Sequence, residues 1–146
     1  MATVADVLKQ QKGGPLASQP PGATVREALQ LMADREIGSV LVMDGDKLKG
    51  IFTERDYARK IVLKGLHSID ARLGDVMTSR LYVVDPDDTV QECMAIMTRA
   101  RVRHLPVVED DQVLGLVSIG DLVNNMLEEQ RFLISQLENY IAGNMG

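Results

Sequence analysis

The hydrophobic positions of the chain form a helical pattern followed by two short apolar runs, and this succession occurs twice. In the first copy, Thr24 precedes apolar residues of helical period, which predicts a helix capped at its N-terminus. The apolar runs Ser39–Met43 and Leu48–Thr53 predict two strands, and Asp44–Asp46 between them predicts the turn. A further helix is predicted over Tyr57–Leu63.

The second copy has the same layout. Thr89 begins the helical pattern, and Leu105–Val108 and Val113–Ser118 predict the two strands. The last segment, Gly120–Ala142, predicts one long helix, longer than a small domain needs. Its apolar positions either lie on the same domain or contact a partner surface. We favour a second copy of the chain, and therefore a homodimer.

The two copies align without a gap. Residues 24–56 match residues 89–121 at a constant offset of 65 positions. One unit of about 60 residues buries too little apolar surface to be more than marginally stable alone. Two units stacked with pseudo-twofold symmetry would share a core and create two equivalent clefts. The sequence therefore predicts an α/β (α+β) fold of two β-α-β-β-α repeats, residues 1–68 and 69–146, plus the long C-terminal helix.

Composition and charge narrow the classes of function. The 146 residues are 45% hydrophobic and 25% charged, as in an ordinary globular protein. The net charge of -5, without a basic block, argues against binding DNA or RNA by bulk charge. No apolar run approaches the ~18 residues of a membrane span, and the first residues do not read as a secretory signal. We therefore expect a cytoplasmic protein that is not embedded in a membrane.

The cysteine and histidine content predicts no metal site and no disulfide. Cys93 is the single cysteine, so no internal disulfide can form. It lies in an amphipathic stretch, which favours a small buried hydrophobic residue over a nucleophile. His67 and His104 do not have the spacing of a Cys/His zinc site.

The motif that carries chemistry is a strand that begins with glycine and ends in a hydroxyl residue followed by x-x-Asp, at Gly50–Asp56 and Gly115–Asp121. One interpretation is helix capping by the hydroxyl and the acid. The other is nucleotide capture, because an aspartate can accept both hydroxyls of a ribose and a helix start suits a phosphate. Arg55 would add a charge-assisted contact. Its counterpart is Gly120, so the two clefts should differ in phosphate affinity.

These motifs, in this order and twice over, make the chain similar to a tandem pair of CBS domains, a family named after cystathionine β-synthase. The resemblance covers nearly the whole chain and is also carried by the Thr-Val-x-Glu helix starts, by residues 37–39 (Ile-Gly-Ser) and by residues 103–107 (Arg-His-Leu-Pro-Val). It implies repeats that often pair as homodimers. It also implies a ligand that contains adenosine, such as AMP, ADP, ATP, S-adenosylmethionine or NAD.

The resemblance further implies that each cleft combines the aspartate of one repeat with a wall from the other. Asp56 and Asp121 would hold the ribose, and Thr53 and Ser118 would contact phosphate. The residues expected in the first cleft are Thr53, Arg55, Asp56, Thr78, Tyr82, Val102, Arg103 and His104. Those expected in the second are Lys12, Ala17, Ile37, Gly38, Ser118, Gly120 and Asp121.

Three of these positions have more than one interpretation. Arg103 is either a solvated charge or, with Arg55 and Arg101, part of a small cationic pocket for phosphate. His104 is either a strand residue with satisfied hydrogen bonds or a phosphate contact. Lys12 belongs to a Lys-Gly-Gly segment that is too short for a phosphate-cradling loop, so it is either a flexible loop or the edge of a larger ligand site.

Three classes of function remain to be compared. The first is a regulatory module for signal transduction or energy sensing, which binds an adenine nucleotide and passes the signal to a partner protein. The second is a structural module for dimerisation or partner binding, whose clefts are vestigial. The third is an enzyme, which we reject because the sequence offers no nucleophile–base pair, no metal set and no glycine-rich cofactor loop. We expect no catalytic cofactor.

Overall fold

The computed structural model of the protein describes residues 1–11 and 16–145. The first part of the chain forms α1 (Val4–Gln10), β1 (Ser18–Gln19), α2 (Val25–Arg35), β2 (Ser39–Asp44), β3 (Lys47–Thr53) and α3 (Glu54–Asp56), which continues as a π-helical segment over Tyr57–Val62. The second part forms α4 (Leu73–Val76), α5 (Val90–Ala100), β4 (His104–Glu109), β5 (Gln112–Ser118) and α6 (Ile119–Met145). The mixed α/β fold with a long C-terminal helix is confirmed.

The strands repeat the same irregularity in both halves, as expected for two copies of one unit. β1 pairs parallel with β2, and β2 pairs antiparallel with β3. In the second half β4 pairs antiparallel with β5, and the lead segment contributes a single parallel bridge between Val84 and Val107. The register shifts between Val42 and Met43 in the first hairpin and between Val107 and Val108 in the second, the same place at the 65-residue offset.

Local capping explains where the helices begin and end. Thr24 forms a capping box with Glu27, and Thr89 accepts a hydrogen bond from the Glu92 amide at 3.1 Å. α2 and α5 both end on a residue in the left-handed conformation, Glu36 at φ 55° and Arg101 at φ 57°. These residues turn the chain into the strands that follow.

The two hydrophobic cores exchange segments across the expected boundary after residue 68. The core around β4 and β5 includes residues of α1, and the core around β2 and β3 includes residues of α4 and its flanks. The division of the chain into repeats at residues 1–68 and 69–146 stays a prediction. The exchange means that neither half completes its core from its own continuous segment.

Two glycines allow this exchange because a segment of the other half crosses directly over them. A Cβ atom at Gly50 would lie 2.7 Å from the Thr78 carbonyl oxygen and 2.7 Å from Met77 Sδ. A Cβ atom at Gly115 would lie 2.8 Å from Leu8 Cδ2. Each strand begins three residues before its motif glycine, contrary to the expectation of a strand begun by glycine, and the glycine makes room in mid-strand for the segment packed against it. At Gly50, that close approach holds Thr78 beside the motif.

Helix α6 extends well past the core. Leu122 and Asn125 are buried, whereas every residue from 126 to 143 is exposed. Several of the exposed residues are large and apolar, among them Phe132, Leu133 and Leu137. No helix in the described part of the chain combines the length and apolarity needed to span a bilayer.

Candidate functional site

Two clefts open between the repeats, each beside one of the motif aspartates. The cleft beside Asp56, named here the Asp56 cleft, has a volume of about 310 Å³. The cleft beside Asp121, the Asp121 cleft, has a volume of about 810 Å³. Both volumes fall in the range of ~300–1,000 Å³ that is usual for small-molecule sites. Gly38 and His104 line both clefts, so the clefts meet at a shared wall.

Asp56 is held by a capping box at the start of α3. One carboxylate oxygen, Oδ2, accepts a hydrogen bond from the Thr53 amide at 3.0 Å, and the Asp56 amide donates to Thr53 Oγ1 at 3.2 Å. The helix therefore begins at Glu54, and Asp56 lies in its first turn rather than opening it. The capping interpretation of the motif is confirmed.

The second oxygen of Asp56 belongs to a polar network that crosses between segments. Asp56 Oδ1 accepts a hydrogen bond from Thr78 Oγ1 at 2.9 Å and lies 3.2 Å from Lys60 Nζ. Lys60 also donates to the Val76 carbonyl oxygen at 2.9 Å. The Asp56 side chain is 10% exposed, and Lys60 and the hydroxyl donors balance its charge locally. Capping does not close the groove, because the carboxylate still borders the Asp56 cleft.

The walls of the Asp56 cleft come from both repeats. Arg55 Nη1 donates a hydrogen bond to the Arg101 carbonyl oxygen at 3.0 Å, which links α3 to the end of α5. All eight residues that the sequence assigns to this cleft line it. The full lining is Gly38, Ile51, Thr53, Glu54, Arg55, Asp56, Thr78, Arg80, Leu81, Tyr82, Arg101, Val102, Arg103, His104 and Pro106.

Asp121 has fewer partners than Asp56. Its Oδ2 atom accepts hydrogen bonds from the Ser118 amide at 2.8 Å and from Gln11 Nε2 at 3.1 Å. Gln11 also donates to the Leu116 carbonyl oxygen at 2.9 Å, which fixes its position. Among residues 1–11 and 16–145, no side chain or amide donates to the other oxygen, Oδ1. Within the described part of the chain, the Asp121 carboxylate therefore has one oxygen without a hydrogen-bond donor.

The Asp121 cleft contains most of the residues that the sequence assigns to it. Ala17, Ile37, Gly38, Ser118 and Asp121 line the wall. Gly120 lies one position before Asp121 but outside this lining, and Lys12 lies outside the residues that the structure describes. The full lining is Gln11, Leu16, Ala17, Arg35, Glu36, Ile37, Gly38, Ser39, His104, Leu114, Gly115, Leu116, Ser118 and Asp121.

Sequence reasoning missed several lining residues. Glu36 occupies the position that corresponds to Arg101 at the 65-residue offset, so applying the repeat to Arg101 could have found it. Glu54 lies between Thr53 and Arg55 in the sequence, but its charge did not single it out. Arg80 lies within the segment from Thr78 to Tyr82 that the resemblance places at this cleft, although it was not named individually. No sequence pattern marks Gln11 as a site residue, because it contacts Asp121 across 110 positions of sequence.

His104 is half-buried where the two clefts meet. Burial lowers its pKa, although the carboxylates of Asp121 and Glu54 act in the opposite direction. The guanidinium groups of Arg103 and Arg55 lower the pKa further. His104 is therefore neutral at pH 7 and offers a donor and an acceptor rather than a positive charge.

Cys93 lies away from both clefts. It is buried in the core that contains β4 and β5, as the amphipathic pattern predicts. Burial, with smaller contributions from Asp88 and Glu92, raises the pKa of its thiol to about 11. Within the described part of the chain, no three His, Cys, Asp or Glu side chains cluster as a metal site requires.

Comparison with known proteins gives consistent matches over most of the chain. The model of the CBS domain matches residues 20–63 and 73–128. The CBS domain-containing protein CBSX3, mitochondrial, of Arabidopsis thaliana is 36% identical over 149 residues, which cover 97% of this chain and 72% of that protein.

Solved structures share the fold. A protein with CBS domains from Burkholderia ambifaria MC40-6 is 44% identical, with a TM-score of 0.84 over 88% of this chain and 96% of that chain. A CBS domain protein from Pyrobaculum aerophilum, complexed with AMP, has a TM-score of 0.71 over 82% of this chain and 88% of that one. Its identity is 24%, so this likeness concerns the fold alone.

Proposed function

Because the chain belongs to the CBS-domain family, whose members are regulatory modules, we propose that it binds an adenine nucleotide reversibly in the Asp56 and Asp121 clefts and catalyses no reaction. The ligand class is AMP, ADP, ATP or NAD, and the role is that of a sensor in signal transduction. The observation that carries the proposal is the pairing, in each cleft, of a hydroxyl-x-x-Asp motif from one repeat with a wall from the other.

The two aspartates would bind the ribose diol in different ways. Asp121 offers Oδ1 directly, since only Oδ2 is engaged by described residues. The oxygens of Asp56 already interact with Thr53, Thr78 and Lys60, and a carboxylate has about four acceptor positions. A diol at Asp56 must therefore replace the Thr78 hydroxyl or the Lys60 ammonium group.

The cleft walls provide the remaining contacts that a nucleotide needs. In the Asp56 cleft, Val102 and Tyr82 supply apolar surface for a base, and Thr53 with Arg55 and Arg103 supplies donors for phosphate. In the Asp121 cleft, the apolar surface comes from Ala17, Ile37 and other residues, and the hydroxyl comes from Ser118. The AMP complex of the Pyrobaculum protein supports the capacity of this fold to hold such a ligand.

A ligand panel tests the proposal. We expect at least one of AMP, ADP, ATP, NAD and S-adenosylmethionine to raise the melting temperature, because a ligand that binds only the folded state stabilises it by about 2.7 kcal/mol at 100 times its Kd. For a chain of this size that equals a shift of about 5–11 °C. No shift with any compound at high concentration would favour the alternative, a structural module with vestigial clefts.

Aspartate variants assign the sites. Asp56→Asn and Asp121→Asn should each weaken one site, and the double variant should lose both, as measured by isothermal titration calorimetry. Asp70→Asn, at an exposed position outside both clefts, is the matched control. Normal binding by a folded double variant would contradict the ribose assignment while leaving nucleotide binding intact.

The same proposal includes a homodimer formed through α6. Met126, Leu133, Leu137 and Tyr140 are exposed and lie near the 3.5-residue spacing of a helix–helix seam. A second copy of α6 would cover this stripe. We expect light scattering to give twice the chain mass for the native protein and the monomer mass for the Leu133→Glu/Leu137→Glu variant. A monomeric native protein would contradict the dimer.

A cytoplasmic location and a regulated partner protein remain predictions from the sequence. Neither is needed for the ligand experiments described above.

A further inference from the structure

We propose that the two clefts are chemically specialised: the Asp56 cleft selects a nucleotide with a polyphosphate tail, and the Asp121 cleft takes a less negatively charged adenosine ligand. This inference rests on the proposed function, that both clefts bind adenine nucleotides. The observation behind it is the unequal distribution of arginine between two sites of equivalent position in the repeat.

The Asp56 cleft is strongly cationic. Four of its lining residues are arginines and two are acids, Glu54 and Asp56, which leaves a formal excess of two positive charges. The charge of Asp56 is already balanced by Lys60 at 3.2 Å, so Glu54 is the acid that opposes the guanidinium groups. His104 adds no charge, because its lowered pKa keeps it neutral at pH 7. The four arginines are Arg55, Arg80, Arg101 and Arg103.

The Asp121 cleft has the opposite balance among its described residues. Arg35 is the basic residue in the described lining, and Glu36 and Asp121 are the acids. The formal charge of this described lining is therefore negative by one. The contrast occurs in a protein whose overall charge is -5, so the positive region of the Asp56 cleft is local.

The repeat shows that the contrast arises at corresponding positions. At the 65-residue offset, Arg101 corresponds to Glu36 and Arg103 to Gly38. Arg55 corresponds to Gly120. Three of the four arginines thus have a neutral or acidic counterpart. Glu36 and Arg101 also share the left-handed backbone conformation, with φ 55° and 57°, so each residue is tolerated in the geometry of the other.

A polyphosphate satisfies this arrangement better than a monophosphate does. Each guanidinium group has five donors in a rigid fork, and the fork matches phosphate oxygens. The Arg55 side chain donates to the Arg101 carbonyl oxygen at 3.0 Å, which brings basic residues of both repeats to one cleft. Two additional phosphates therefore gain contacts that a single phosphate does not make.

Variants with a single tryptophan allow nucleotide binding to each cleft to be measured separately by fluorescence. The chain has no tryptophan. Tyr82 lines the Asp56 cleft at 42% exposure, and Leu114 lines the Asp121 cleft at 44% exposure. Tyr82→Trp and Leu114→Trp each place one fluorophore in one cleft. AMP, ADP and ATP are titrated against each variant in EDTA, so that magnesium does not neutralise the phosphates.

We expect the Tyr82→Trp reporter to give an affinity for ATP at least about tenfold higher than for AMP, the usual scale of one charge-assisted hydrogen bond at a partly exposed site. The preference should decrease as sodium chloride is raised, because salt screens exposed charges. The Leu114→Trp reporter should show no preference for ATP. Calorimetry on the protein without a reporter checks that the substitutions have not created the difference.

Exchanging charged residues between corresponding positions of the repeats tests whether the arginines cause the preference for ATP. Arg101→Glu installs the residue of the other repeat and should weaken ATP binding more than AMP binding, so that the preference for ATP is lost. The reciprocal Glu36→Arg should create a preference for ATP in the Asp121 cleft, which keeps the proposal testable if Arg101→Glu fails to fold. Arg26→Glu, at an exposed position outside both clefts, makes the same change in net charge as Arg101→Glu. It should change the affinity of neither cleft for AMP or ATP.

The outcomes separate this inference from the proposed function. If neither reporter responds to any nucleotide and calorimetry detects no heat, nucleotide binding itself is wrong. If both reporters respond but ATP is not favoured in the Asp56 cleft, or Arg101→Glu and Glu36→Arg leave the preferences unchanged, the specialisation is wrong and nucleotide binding stands.

Discussion

The two motif glycines occupy equivalent positions in the repeats, yet the structure predicts different consequences for the same substitution to alanine. At Gly50 the added methyl group would lie 2.7 Å from a backbone atom, the Thr78 carbonyl oxygen. At Gly115 it would lie 2.8 Å from Leu8 Cδ2, the far end of a flexible side chain. Backbone cannot move without losing hydrogen bonds, whereas a leucine can change rotamer.

The cost at Gly50 has two parts. Overpacking costs about 1–3 kcal/mol. Moving the crossing segment also breaks the paired hydrogen bonds between Ile51 and Thr78, at 2.9 and 2.8 Å, worth about 1 kcal/mol each. The smaller entropy of the unfolded alanine chain offsets about 0.4–1 kcal/mol. Gly50→Ala should therefore cost about 2–5 kcal/mol.

Gly115→Ala should cost at most about 1 kcal/mol, because moving Leu8 off its rotamer costs about 0.5–1.5 kcal/mol and the same entropy offset applies. The difference between the variants is about 1.5–4.5 kcal/mol.

Urea unfolding followed by circular dichroism, at one fixed protein concentration because of the proposed dimer, measures both variants. Gly50→Ala should also weaken nucleotide binding in the Asp56 cleft, since Thr78 lines that cleft and Gly50 sets its position. Equal loss of stability in the two variants, or a larger loss for Gly115→Ala, would refute this account of the segment crossing.

Three further predictions concern single side chains. Lys60→Met removes the ion pair with Asp56 and should lower the free energy of unfolding by about 1 kcal/mol, which is less than the ~1.5–3 kcal/mol of a charged hydrogen bond because the Lys60 side chain is 35% exposed. The exposed Lys64→Met is the control, and an equal effect of both would contradict the network. Cys93, with its pKa raised to about 11, should react with a thiol reagent at pH 8 about a hundred times more slowly in the native protein than in urea; similar rates would show that the thiol is accessible. Burial lowers the pKa of His104 in the folded protein, so the unfolded chain binds the proton first and stability should fall as the pH drops below about 6.5. His104→Gln should make the urea midpoint less dependent on pH between 7.5 and 5.5, with the exposed His67→Gln as control; an unchanged pH dependence in His104→Gln would exclude His104 as the source.

Local signals predicted most of the elements and the repeat. The strand pairs and the helix starts depend on alternation, on helical period and on residues three positions apart, so they can be seen without knowing the fold. The hydroxyl and acid of Thr53 and Asp56 formed the capping box that this spacing suggested. The alignment of residues 24–56 with 89–121 also determined that two equivalent clefts would exist.

The contacts within the site depended on distant segments. Gln11 reaches Asp121 across 110 positions, and Thr78 reaches Asp56 across 22. No periodicity in the sequence specifies such pairs, because they depend on how one half packs over the other. For the same reason no sequence pattern indicated that α1 completes the core of the second half, or that Arg80 joins the cationic pocket proposed for Arg55, Arg101 and Arg103. The repeated unit and its motif follow from local sequence patterns, whereas the side chains that surround each aspartate follow from packing between the units.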